Sequence, residues 1–174
     1  MLRFVICSAL LLALVGCGGN DAPVEIGAVP LDAKAEVMDY DEKVYDEHAT
    51  SADGNGSVLF QAGGTEVLRV AAFDTPGFDR EAVEVSGHLR LEMLYRNVSI
   101  DVWIDPVDGD PRLDRILLPE FRRTMDWAPF TVTAPLKPGE KLEKVRVALF
   151  VEGPGRVWLD DFKLRGVNPS ATEQ

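Results

Sequence analysis

The chain has 174 residues, with 18 basic and 29 acidic side chains for a net charge of −11, and 46% of its residues are hydrophobic. That acidity excludes nucleic acid as a partner and disfavours adsorption on anionic lipid headgroups. Two cysteines and two histidines in the whole chain also argue against a disulfide scaffold or a cysteine-rich metal site.

Residues 1–16 read as a secretory leader. Arg3 gives a positive start, and the apolar run from Phe4 to Val15 is interrupted only by Cys7 and Ser8. Its 12 residues fall well short of the roughly 20 that a membrane-spanning helix needs. The run closes in Leu14-Val15-Gly16-Cys17, a tetrad that resembles the lipobox of bacterial lipoproteins. The resemblance implies cleavage after Gly16, lipidation of the Cys17 thiol, and a further acyl chain such as palmitate on its amine. More than one chain gives stable anchoring, so the expectation is a lipoprotein held on a bacterial cell membrane. Gly18 rather than Asp follows Cys17, which favours the outer membrane where the cell has two. Cys7 would leave with the leader and Cys17 would be consumed by lipid. The mature chain then has no free thiol and carries −12, from 17 basic against 29 acidic residues.

Residues 17–35 comprise the lipidated Cys and a stretch rich in Gly, Ala, Pro and Asp that reads as a flexible tether. Residues 36–167 read as one domain, with 168–174 as a C-terminal tail. The first part, 36–57, is acidic but holds Val37, Val44 and Tyr45, enough for one or two irregular strands. From 57 onward strand signals follow one another at 57–61, 66–73, 84–96, 98–104, 112–118, 128–134, 144–151 and 155–164. The alternation is cleanest at 98–104, where Val98, Ile100, Val102 and Ile104 share one face and Ser99, Asp101 and Trp103 the other. Pro and Gly clusters at 75–77, 105–111, 136–139 and 153–155 mark turns. The sole helical suspect is a short stretch at 119–125. About eight to ten antiparallel strands of period two predict an all-β sandwich or barrel.

The C-terminal half narrows that choice. Asp126-Trp127 opens a strand, Pro138-Gly139 turns, a hydrophobic strand follows, and after Gly153-Pro154-Gly155 the chain ends in Val157-Trp158-Leu159-Asp160-Asp161-Phe162-Lys163-Leu164. Together with the Ser51-Ala52-Asp53-Gly54 turn, this order resembles the jelly-roll carbohydrate-binding modules of the galactose-binding-like fold, over about residues 45–165. The resemblance implies a jelly-roll β-sandwich that binds polysaccharide through aromatic residues on a sheet face or at loop tips. It also implies a structural calcium near the last strand, with oxygen ligands from the N-terminal strands and the Ser-Gly turn.

Trp103 is the most informative aromatic residue, because it sits on the polar face of its strand. A ring exposed there can stack on the C–H face of a sugar while polar neighbours bond hydroxyls. Arg90 and Glu92 are expected to line the same groove from a neighbouring strand, and Phe150 to extend it. Trp127 and Trp158 read as core residues. Asp160 and Asp161 are adjacent carboxylates in an apolar strand, costly unless paired or bound to a cation. They are the candidate calcium ligands, with Asp46 as the partner from the N-terminal side and Asp39 and Glu47 as further acidic candidates. No nucleophile and base stand at a motif spacing, so the chain reads as a non-enzyme. Two functions fit: a lipid-anchored envelope module that binds carbohydrate, and an envelope scaffold that docks a protein and has no sugar ligand.

Overall fold

The computed structural model describes residues 22–38 and 41–169; Cys17, Asp39 and the leader lie outside them. Ten strands run through the described residues: β1 (Val24–Val29), β2 (Val44–Glu47), β3 (Ser57–Ala62), β4 (Glu66–Asp74), β5 (Ala82–Leu94), β6 (Val98–Pro106), β7 (Arg112–Leu117), β8 (Arg123–Pro135), β9 (Leu142–Val151) and β10 (Gly155–Val167). A short 3-10 turn covers Lys34–Glu36.

The strands form two antiparallel sheets. One has six strands in the order β2-β3-β10-β5-β8, with β1 also on β10; the other has four, in the order β4-β9-β6-β7. β10 is the hub of the larger sheet. One of its edges is covered along its length by β5. The other is shared, with β3 facing residues 155–159 and β1 facing 162–166.

The two sheets face each other over one apolar core, because alternate residues of each strand point inward. Val98, Ile100, Val102 and Ile104 of β6 are fully buried, opposite Leu89, Leu91 and Phe162 of the larger sheet. Phe130 packs edge-on to Phe162 at 5.2 Å and to Phe121 at 6.5 Å between ring centres. The sandwich that alternation predicts is the fold observed.

Three expectations about elements differ from what is seen. Residues 119–125 hold no helix: the Phe121 amide closes a turn on the Leu118 carbonyl, and β8 begins at Arg123. Within the stretch read as tether, Val24–Val29 forms a strand, since the free half-edge of β10 offers it a ladder. β5 and β6 adjoin in sequence but lie in different sheets. The short connection between them crosses the sandwich rather than closing a hairpin.

Candidate functional site

The outer face of the four-stranded sheet carries a row of unlike side chains that strand register brings together. Across β4, β9, β6 and β7, one row runs Val67, Phe150, Ser99, Leu117, and the next runs Arg69, Ala148, Asp101, Arg115. A third brings Arg146, Trp103 and Leu113 side by side. Ala148 is small and buried, so it forms a low point between taller neighbours. The result is a groove of 470 Å³ with Trp103, Arg115 and Arg146 on its walls. Met38 borders it, held beside β4 by its amide, which donates to the Val70 carbonyl at 3.2 Å.

Ion pairs fix the groove's polar groups. Arg115 donates from Nε and one terminal nitrogen to the two oxygens of Asp101, both at 2.7 Å. This bidentate bond raises the guanidinium's pKa above its ordinary value and keeps the buried Asp101 paired. Arg146 donates to Asp105 at 2.7 Å. The guanidinium carbon of Arg115 lies over the Phe150 ring, 3.5 Å from its centre, and that of Arg146 lies 5.3 Å from the centre of Trp103.

Trp103 and Phe150 therefore share the face expected of them, and Trp103 is partly exposed. Arg90 and Glu92 do not join them. They project from the outer face of the other sheet, where Arg90 stacks on Trp158 at 4.7 Å and Glu92 accepts from Arg156 at 3.1 Å. The cause is the sheet crossing between β5 and β6. Trp158 is buried under Arg90 on that outer face rather than within the core. Trp127 is also outside the core. It is partly exposed, and its indole donates to Thr50 Oγ1 at 3.0 Å, fastening the 50–56 loop.

That loop helps to build a second site, where β10 changes partners. The ladder shifts between Asp160 and Lys163, and Asp161 takes a positive φ of 52°. The Asp161 amide donates to the Pro30 carbonyl. Asp160 stands on the same outer face as Trp158, and the 50–56 loop closes over its carboxylate and cuts it off from solvent. Carboxylate oxygens of Asp32, Asp53 and Asp160 all lie within 4.8 Å of one another. The Ala52 amide donates to Asp160 Oδ2 at 2.6 Å, but Asp160 Oδ1 and Asp32 Oδ1 are buried with no partner. Burial pushes the Asp160 carboxyl above its ordinary 3.8; the Ala52 amide opposes this, and the charges of Asp53 and Asp32 add to it. Gly56 presses on the same spot, since a Cβ there would meet the Asp32 carbonyl at 2.7 Å. Three converging carboxylates with orphaned oxygens have the all-oxygen donor chemistry that a hard divalent cation needs.

Of the expected ligands, Asp160 is in this cluster. Asp161 is not: the bulge turns it away and Lys163 pairs with it at 2.7 Å. Nor is Asp46, which accepts from the Lys34 amide at 2.6 Å. Asp32 and Asp53 take their places. Asp53 stands in the Ser-Gly turn, which the family resemblance pointed to as a source of ligands. Asp32 carries no motif, and Leu31 before it has a positive φ of 64° that composition does not reveal. In the groove, Asp101 lies on the face of β6 that alternation assigns to it, beside Trp103. Arg115 and Arg146 become visible only once β7 and β9 are known to flank β6.

A larger hollow of 660 Å³ opens at one end of the sandwich, between residues 78–81 and the 135–141 turn. There Glu140 is bound by Arg112 at 2.6 Å and by the Lys137 amide at 3.2 Å. The hollow has no aromatic side chain beyond Phe78, so the sheet groove is the better binding surface.

No protein-family model matches the chain, and no curated protein matches it in sequence. Solved structures do match in shape. The CBM22-1 xylan-binding domain of Xyn10C from Paenibacillus barcinonensis aligns over 86% of this chain and 99% of its own, at 16% identity and TM-score 0.58. A family 16 carbohydrate-binding module aligns over 78% and 97%, at 11% identity and TM-score 0.55. The module CBM6cm-2 from Cellvibrio mixtus lichenase 5A, solved with cellotriose, aligns over 83% and 100%, at 12% identity and TM-score 0.51. At such identities the likeness establishes the fold: this chain is a jelly-roll β-sandwich of the kind seen in carbohydrate-binding modules.

Proposed function

We propose that the chain is a non-catalytic carbohydrate-binding module held at a bacterial cell envelope. The groove on the four-stranded sheet carries this reading, because it sets an aromatic residue, Trp103, beside charged donors on a rigid sheet face. Strands hold such side chains more firmly than loops do, which favours a repetitive ligand lying along the face. The fold shared with a xylan-binding domain and with a module solved with cellotriose supports the same reading. Trp103→Ala should abolish retention on the polysaccharide gel or glycan array that retains the parent protein, with melting temperature little changed. Equal retention of the variant would remove the groove from glycan binding.

The acidic cluster is read as a structural calcium site, with Asp32, Asp53 and Asp160 as ligands. When bound, the cation would supply the positive charge that three close carboxylates otherwise lack. Lipid on Cys17 is the proposed anchor, with the outer membrane favoured where there are two. In cells, Cys17→Ser should move the protein from the membrane fraction to the soluble one and remove the acyl mass from its N-terminal peptide. A variant that stays with the membrane would contradict the anchor.

A further inference from the structure

We propose that the groove on the four-stranded sheet selects an anionic glycan, one whose sugar units carry an oxyanion, over a neutral one. This deepens the carbohydrate-binding reading above and rests on it.

The groove offers donors and almost no acceptors. Apart from Asp101, every residue lining it is either apolar or an arginine. No hydroxyl or amide side chain is among them, whereas a neutral sugar's hydroxyls ask for acceptors as well as donors. The one carboxylate is withdrawn from a ligand, since both its oxygens accept from Arg115 and its side chain is only 2% exposed. Arg146 gives one terminal nitrogen to Asp105 and, with its side chain 40% exposed, has the other left to donate.

The ion pairs are also oriented. Side-chain exposure is 2% for Asp101 against 41% for Arg115, and 20% for Asp105 against 40% for Arg146. In each pair the carboxylate lies low on the sheet and the guanidinium stands above it. The surface met by a ligand is therefore positive, even though the chain as a whole carries −11.

The aromatic rings point the same way. Arg115 covers the face of Phe150 and Arg146 approaches that of Trp103, so the groove presents planar cations where a bare stacking platform would present rings. Each guanidinium gives part of its edge to a carboxylate below and keeps its other terminal nitrogen to donate to carboxylate or sulfate oxygens. The acidic remainder of the protein repels a polyanion. That repulsion is screened beyond about 8 Å at physiological ionic strength, so contacts inside the groove decide.

Uronic carboxylates and sulfate esters share this chemistry, and titration calorimetry on the whole domain separates them. The probes are an oligogalacturonate, its methyl ester, a sulfated oligosaccharide of similar length and a neutral xylo-oligosaccharide. The expected result is binding of the oligogalacturonate or the sulfated probe at least tenfold tighter than the ester or the neutral sugar. Arg146→Gln should weaken it tenfold or more, and Arg146→Lys should restore part of the loss. The pair Asp101→Asn with Arg115→Gln, which leaves no buried charge unmatched, should weaken it likewise at unchanged melting temperature. Equal binding of the acid and its ester, or full binding by the folded variants, overturns the anionic preference and leaves the glycan reading standing. Binding of no probe, charged or neutral, overturns both.

Discussion

Asp160 concentrates the chemistry of the bulge in one side chain. It reaches no solvent, and one of its oxygens has no partner. Burial raises its pKa above the ordinary 3.8, with the nearby charges of Asp53 and Asp32 adding to the shift. A carboxyl whose folded pKa is raised binds its proton more tightly in the folded state. The stability it contributes is complete below 3.8 and is lost as pH climbs from there through the folded pKa. Calcium needs the ionised form, so its stabilisation grows over the same interval. Other carboxylates shift the opposite way; Glu152, bonded by Asn97 and Arg96, is held below its ordinary value. The measurement is therefore the difference between parent and Asp160→Asn. In chelator the variant should gain on the parent as pH rises, ending about 1–3 kcal/mol more stable, the usual penalty of an unsatisfied buried group. In calcium the order should reverse. Melting curves that coincide with and without chelator at every pH would remove the cation from this site.

At the scale of the strand, β5 shows how closely the larger sheet is packed. Gly87 faces the core between two rings, and a Cβ added there would lie 2.8 Å from Phe162 and 3.1 Å from Phe130. Gly87→Ala should cost about 1–3 kcal/mol, since both rings must leave their edge-on packing. Denaturant unfolding would show it as a lower midpoint at unchanged slope, and an unshifted midpoint would mean that the rings yield freely. The strands β5, β6 and β9 were legible because period-two alternation is dictated by burial on one face only. Val98 to Ile104 and Val145 to Val151 announce their inner faces directly. Two kinds of feature were not legible. Sheet membership depends on where a connection crosses the sandwich, so Arg90 and Glu92 could not be told from groove residues by alternation alone. A bulge breaks the alternation by one residue, so Asp160 and Asp161 look equivalent in sequence although a loop covers the first and the second pairs with Lys163. β1 was hidden for a different reason. Its Gly27 must be bare, because a Cβ there would lie 2.3 Å from the Phe73 ring, and that glycine made a strand look like linker.

On the scale of the whole molecule, the two ends of the described chain meet along the β1–β10 ladder, with Ile26 and Val29 against the core and Leu31 buried in it. β1 lies on the last part of β10, mostly with side chains that are exposed or half-buried. Asp32 follows it, Asp53 stands on the loop before β3, and Asp160 lies at the bulge. Three stretches remote in sequence thus meet at one cluster of like charge, while the four-stranded sheet contributes nothing to it. Like charges at that junction push the stretches apart, and a bound cation would draw them together. Chelation should therefore loosen the junction locally before it threatens the sandwich. Hydrogen exchange in chelator should show lost protection for the amides of Val24–Val29 and residues 50–56. Amides of β6 and β9, sealed by the core, should exchange as before, because local opening needs far less free energy than global unfolding. Equal loss in β6 would mean that the cluster supports the whole fold, and no loss anywhere would mean that neutral side-chain packing alone holds the ends. If only the junction responds, the glycan groove and the cation site are separable modules on one scaffold. Groove variants should then keep their binding defects with or without calcium.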